Sequence, residues 1–242
     1  MGIKVQRVPD LSSDYVEAIV QRDGREVADV EKLDQMPRLL QVLAHHSGRL
    51  TNFTQMGAQI RFDDKTTRKY VSILEQLFLV RRVEPWFRNQ LKPLVKTPKL
   101  HFFDSGLLGT LLGITAERVV RDRSTFGTLL ETFVFSEVLK QVSWFDENCS
   151  LCHYRDKDQD EVDLVIENGI GALVGIEVKA SATVNVDDFK GLRKLSSAGT
   201  MISNWDSCST MARGRSPSAS VWSLRRYVLY GPDTRYAFEQ SP

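Results

Sequence analysis

One short stretch, EVDLVIENGIGALVGIEVK from Glu161 to Lys179, brings the carboxylates of Asp163 and Glu177 close to the ammonium of Lys179. Val162, Leu164 and Ile166 alternate along its first half, and Ile176 and Val178 flank Glu177 in its second. That period of two reads as a pair of strands, with Asn168, Gly169 and Gly171 as the turn. Side chains on a strand alternate faces, so Glu177 and Lys179 emerge together and Val178 goes to the opposite side. Asp163, Glu177 and Lys179 then stand on neighbouring strands. A half-buried sheet does not gather charge in this way unless a metal, or chemistry, compensates it. Carboxylate oxygens are natural Mg2+ ligands. A bound Mg2+ lowers the pKa of water and neutralises phosphate charge, and a lysine adds fixed positive charge where a phosphoryl transition state becomes more negative. The bland alternative is a structural ion pair on a solvated sheet face.

Asp163 followed by Glu177-x-Lys179 resembles the metal-dependent nuclease core written PD-(D/E)xK. The resemblance implies that Asp163 and Glu177 hold Mg2+ and that Lys179 positions or activates the attacking water. Such cores add a glutamate from a preceding helix, and FGTLLETFVFSEVLKQV supplies Glu131, with Glu137 as the weaker choice. Val162 stands where the proline of the PD pair would be.

The 242 residues suffice for one large or two modest domains, and 42% hydrophobic with 26% charged residues is ordinary for a globular protein. A formal net charge of +1 gives no global nucleic-acid signature, so any basic surface is local. Three cysteines, an odd count, argue against a disulfide framework and fit a reducing cytoplasm. Cys149-x-x-Cys152-His153 lacks a second ligand pair at zinc spacing and reads as coincidence. No apolar run reaches membrane-spanning length, and the first ten residues lack a signal peptide's apolar region. The expectation is a cytoplasmic protein with no membrane partner.

Ahead of the acidic stretch, residues 1–35 are charged and weakly helical and read as a connector. Met36-Pro37 starts a helix that carries Leu39, Leu40 and Leu43 on one stripe and stops at Ser47-Gly48. Thr51 or Asn52 would cap a second helix, and Asp63 or Asp64 a third with Ile73, Leu77 and Val80, and Tyr70 and Leu74 beside them, on its apolar side. FLVRRVEPWF and KLHFFD follow as a strand pair. That order is a winged helix-turn-helix pattern. It would offer Lys65, Thr66, Thr67, Arg68 and Lys69 to a DNA groove, and Arg81, Arg82, Arg88, Lys92 and Lys96 on the wing, beside Trp86 and Phe87, to phosphates. Use of the module only for packing or protein contact is the alternative. Asp104 reads as the cap of the next helix.

The order of this module, then KTPKLHFFDSGLLGTLLG, GTLLETFVFSEVLK, YRDKDQDEVDLVIE, IEVKAS and DFKGLRKL, resembles a bacterial and archaeal family of AAA-type ATPases with a C-terminal domain of unknown function. The resemblance covers roughly residues 14–199. It implies Glu131, Asp163, Glu177 and Lys179 as the site, with Tyr154 and Arg155 on the strand leading into it. No GxxxxGK[ST] loop is present, so no ATP site and no ATP turnover are expected from this chain, which reads as part of a longer ancestral protein. From about Thr200 the sequence is Ser-rich and loses both periods. Read one base earlier, its codons can spell the apolar run, Asp-Gly turn and Leu-Trp ending of the family. A frameshifted tail is therefore expected, leaving the sheet beside Glu177 without a neighbouring strand.

The expected fold is α/β (α+β), an N-terminal winged helix-turn-helix followed by a restriction-endonuclease-like mixed sheet flanked by helices. The expected boundaries are connector 1–35, winged helix 36–104, nuclease-like domain 105–199 and anomalous tail 200–242. The expected function is a nuclease-like nucleic-acid-binding domain with Mg2+-dependent endonuclease chemistry. Glu131, Asp163 and Glu177 would bind metal, Lys179 would assist, and Lys65, Thr67, Arg68, Lys69, Arg82 and Arg155 would touch nucleic acid, DNA before RNA. A non-catalytic interaction fragment with a protein partner or a second copy, and a winged-helix DNA-binding protein, are the alternatives.

Overall fold

Helix α1 (Met36–Ala44) opens with Pro37 in its first turn, where a missing N–H breaks no helical bond. The computed structural model describes Ala18, residues 33–87, 96–122, 126–144, 148–180 and 186–198, and backbone alone for strands within 200–237. The expected connector therefore lies almost wholly outside the described residues, as do Arg88 and Lys92 of the expected wing.

After α1 come strand β1 (Arg49–Leu50), helix α2 (Phe53–Ala58), helix α3 (Asp64–Gln76), β2 (Val80–Val83) and β3 (Lys99–Phe102). The Asn52 side chain accepts from the Gln55 N–H at 2.9 Å and caps α2, and Asp63 accepts from Thr66 N–H at 2.7 Å and caps α3. The two strands of the expected pair join β1 in a three-stranded antiparallel sheet of order β1-β3-β2. Leu39, Leu40 and Leu43 of α1, Tyr70, Ile73 and Leu74 of α3, and Leu100 and Phe102 of the central strand form one core. Helix α4 (Ser105–Leu111), capped by Asp104 as expected, adds Leu107 and Leu108 to that same core. The expected break at 104/105 thus falls inside a continuous apolar cluster.

Helix α5 (Ala116–Arg121) leads to the long helix α6 (Phe126–Trp144), and then β4 (Ser150–Arg155), β5 (Glu161–Glu167) and β6 (Ala172–Lys179) form an antiparallel meander. Helix α7 (Lys190–Ala198) lies on the other face. Leu164 and Ile176 pack with Val134, Phe135 and Val138 of α6, while Val162, Val165 and Leu173 pack with Leu192 and Leu195 of α7. Strict alternation would put Val162 beside Leu164. The pairing of β4 with β5 slips between Cys152 and Tyr154, and that bulge sends Val162 to the α7 side instead.

Beyond α7, β7 (Thr200–Met201) and β8 (Ser207–Arg213) pair in parallel with β6, and β9 (Trp222–Arg225) extends the sheet antiparallel to β8. Glu177 lies opposite Cys208 in that register. The sheet does not lose its strand beside Glu177: backbone pairing alone supplies one, without the side-chain periodicity that a sequence pattern needs. A further hairpin pairs β10 (Val228–Gly231) with β11 (Thr234–Ala237). Among the described residues no helix is long and apolar enough to cross a membrane.

The two sheets are stitched together. His153 N–H donates to the Glu84 carbonyl at 3.0 Å, and Trp86 N–H donates to the His153 carbonyl at 2.6 Å. Trp86, expected on an exposed wing, is buried and lies 6.3 Å from the Tyr154 ring, because this backbone pairing carries it into the larger sheet. Ser47 and Thr132 share a buried hydroxyl contact at 3.0 Å between the end of α1 and α6.

Candidate functional site

The acidic residues meet where the small sheet abuts the large one. Asp163, 6% exposed, accepts from the Val178 N–H through Oδ2 at 2.8 Å and from Lys99 Nζ through Oδ1 at 3.1 Å. Glu131 reaches the same ammonium from α6, its Oε1 3.4 Å from Lys99 Nζ, and Glu161 stands 3.9 Å away. Glu177 and Lys179 leave β6 on one side, as alternation requires, and pair at 2.8 Å, while Val178 joins the α6 core. Lys179 also lies 3.8 Å from Asp188, just before α7. Glu137, the weaker choice for the helix glutamate, pairs with Lys140 on the outer side of α6.

Gly48 explains how Glu131 fits. Its φ of +75° is open to glycine, and a Cβ there would lie 2.8 Å from Glu131 Oε2. Gly191 does the same for the other face, since a Cβ on it would run into the Glu161 carbonyl and hold α7 off β5. The loop before β5 is tied by Lys194 of α7, which bonds Asp156, Asp158 and Asp160 at 2.6, 2.9 and 2.6 Å.

Burial alone would pull the Lys99 pKa down. Attraction to Asp163, Glu131 and Glu161 outweighs it and holds the ammonium above the usual lysine range. Burial and then repulsion from Asp163 push Glu131 up to about 8 and Glu177 up to about 7. Lys179 is raised, its partial burial outweighed by Glu177, Asp163 and Asp188. His101, stacked on Phe135 at 4.6 Å, is held well below its ordinary value by burial, then by Lys99 and His153. The cluster therefore balances charge through two lysines and through protons on its glutamates.

These residues do not fit Mg2+ as they stand. Both oxygens of Asp163, one of Glu131 and one of Glu177 are already taken by N–H donors. Mg2+ asks for a near-octahedral shell of oxygens. Among the described residues no three acids, histidines or cysteines are placed to hold an ion. The acids converge on an ammonium rather than on one another. Lys99 and His101, absent from the sequence-based site, are its missing members. Alternation on β3 would send both to solvent. All of β3 is buried because it is the central strand, and that is the signal that could have found them.

The residues expected on nucleic acid divide differently. Lys65 and Lys69 are exposed on α3. Thr67 is buried, its hydroxyl donating to the Asp63 carbonyl at 2.8 Å, so its expected place at a groove is corrected. Arg68 pairs with Asp64 at 2.6 Å and lies over the Phe53 ring at 4.4 Å. Arg82 donates to Glu75 at 2.8 Å, and Arg155 to Glu161 and Gln159, both at 3.2 Å. Local partners hold these three guanidiniums, and Arg155 serves the acid cluster by pairing Glu161.

Residues 4–118 match the family described as domain of unknown function DUF8612, and residues 126–240 match domain of unknown function DUF4143. The latter is commonly associated with AAA-type ATPases. Uncharacterized protein Mb2031c of Mycobacterium bovis and Uncharacterized protein Rv2008c of Mycobacterium tuberculosis are each 28% identical to the chain over 172 residues. The matched region covers 71% of this chain and 38% of each relative, so the chain spans well under half the length of the curated proteins it matches. No solved structure matches it significantly. What the comparisons place on the chain is two adjoining domains of unknown function.

Proposed function

We propose that this chain is a non-cleaving interaction module of an AAA-type ATPase family protein, in which a winged helix packs on a nuclease-like sheet. The observation that carries the reading is Lys99, whose ammonium lies 3.1 Å from Asp163 and 3.4 Å from Glu131, where a catalytic ion would need free carboxylate oxygens. The element order α1-β1-α2-α3-β2-β3 supports a winged helix, and the β4-β5-β6 meander flanked by α6 and α7 supports a restriction-endonuclease-like sheet. The expected basic face supports DNA binding poorly, since Arg68, Arg82 and Arg155 have local partners and Thr67 is buried.

A second reading is divalent-ion-dependent phosphodiester hydrolysis at Glu131, Asp163, Glu177 and Lys179. One observation favours it: the Glu177 Oε2 atom is buried with no hydrogen-bond partner. Incubation of supercoiled plasmid with the protein and Mg2+ or Mn2+ separates the two. The interaction module leaves the plasmid intact, and metal-dependent nicking that disappears in Lys179→Ala would establish the second reading. In the same mixtures, salt-sensitive retention of the plasmid that is lost in Lys69→Ala would assign nucleic acid as the partner.

A further inference from the structure

We infer that the outer face of α6, from Phe133 to Trp144, docks on the same face of a second copy of this chain, with the two helices antiparallel about a two-fold axis. The inference rests on the interaction-module reading and names a partner for it.

Helix α6 carries large apolar residues on every side, a pattern that belongs to a helix covered all round. Val134 and Val138 meet that expectation against Leu164 and Ile176 of the large sheet, and Phe135 meets it against His101. The opposite side does not. Phe133 is 37% exposed and Trp144 is 79% exposed. With 3.6 residues per turn, Phe133, Glu137, Lys140 and Trp144 fall within about 60° of the helix circumference and span about 16 Å of its length. Between the two aromatic side chains, Glu137 and Lys140 form an ion pair on the outer side.

This stripe is its own complement. Phe133 stands four residues before Glu137, and Lys140 stands four residues before Trp144. A two-fold axis through the middle of the Glu137–Lys140 interval therefore exchanges the two ends. In an antiparallel pair Phe133 faces the partner's Trp144 and Glu137 faces the partner's Lys140, and each contact occurs twice. The rings supply apolar area and edge-on aromatic contacts, while the ion pair of each helix becomes a square of four alternating charges. A parallel pair would set glutamate against glutamate and lysine against lysine, so like charge selects the antiparallel arrangement. One helix face of this length makes a small interface, and a dimer that dissociates on dilution follows.

The test is sedimentation velocity of the full chain from about 1 µM to about 1 mM, the range in which so small an interface would act. Far-ultraviolet circular dichroism checks that each variant is folded. Wild type is expected to pass from monomer to dimer across that range. Trp144→Ser should weaken the dimer about ten-fold or more. Glu137→Lys and Lys140→Glu should each remain monomeric, because either change sets like charges across the axis. Mixing these two variants should restore a dimer, since every contact between positions 137 and 140 is again one of opposite charges. An ion pair that served only its own helix would gain nothing from mixing. The inference is overturned by a wild type that stays monomeric throughout, which would leave the face to a different partner. Single charge variants that dimerise as wild type does, or a mixture that stays monomeric, overturn it equally. Plasmid nicking by wild type would instead overturn the non-cleaving reading, whatever the sedimentation gives.

Discussion

At the scale of single residues, the acid cluster makes stability depend on pH in a defined direction. Glu131 and Glu177 titrate near 8 and 7 in the folded chain, against 4.5 as ordinary glutamates. Between those values the folded state holds more protons than the unfolded one, so stability falls as pH rises. The expected outcome is a melting temperature that is highest near pH 4.5 and declines through pH 8 as far as these two groups govern it. Glu131→Gln should flatten the upper part of that decline, and a variant whose profile matches wild type would count against the assignment. Residue identities in this cluster were only half legible. Asp163, Glu177 and Lys179 stand out because charge on an alternating strand is unusual. Lys99 does not, because a lysine in KLHFFD reads as solvent-facing until the strand is known to be central in its sheet.

At the scale of elements, caps and glycines do the positioning. Asn52, Asp63 and Asp104 each accept a backbone N–H at a helix start, and these caps were readable from residue type and spacing. The β5 bulge was not readable, since nothing in EVDLVIE marks where the pairing with β4 slips. Its effect is to divide Val162 from Leu164 between the two faces of the sheet. Gly48 is the sharpest test of positioning. Its positive φ and its closeness to Glu131 mean that Gly48→Ala both strains the backbone and pushes the carboxylate away from Lys99. The expected loss is about 1–3 kcal/mol in denaturant unfolding. It should shrink when Glu131→Gln is added, because the neutral amide no longer has to reach the ammonium. Strictly additive effects of the two substitutions would contradict the contact.

At the scale of the whole molecule, the two larger sheets are joined by side chains and backbone from both. Ser47 meets Thr132, Trp86 and Glu84 pair with His153, and Lys99 enters the acids of β5 and α6. The helices α1 to α3 and the β2-β3 and β5-β6 pairs, though not β1 or β8, followed from period and turn residues. Their junction did not, because it depends on contacts far apart in sequence. The blocks of KTPKLHFFD, GTLLETFVF and DEVDLVIE carried the family resemblance, and the fold brings Lys99, Glu131 and Asp163 from these blocks to one point. The most direct test of the claim that this point needs no metal is calorimetric titration of the wild-type chain with Mg2+, compared with Asp163→Asn. The account predicts no stoichiometric site in either protein. One Mg2+ bound per wild-type chain and lost in Asp163→Asn would contradict it.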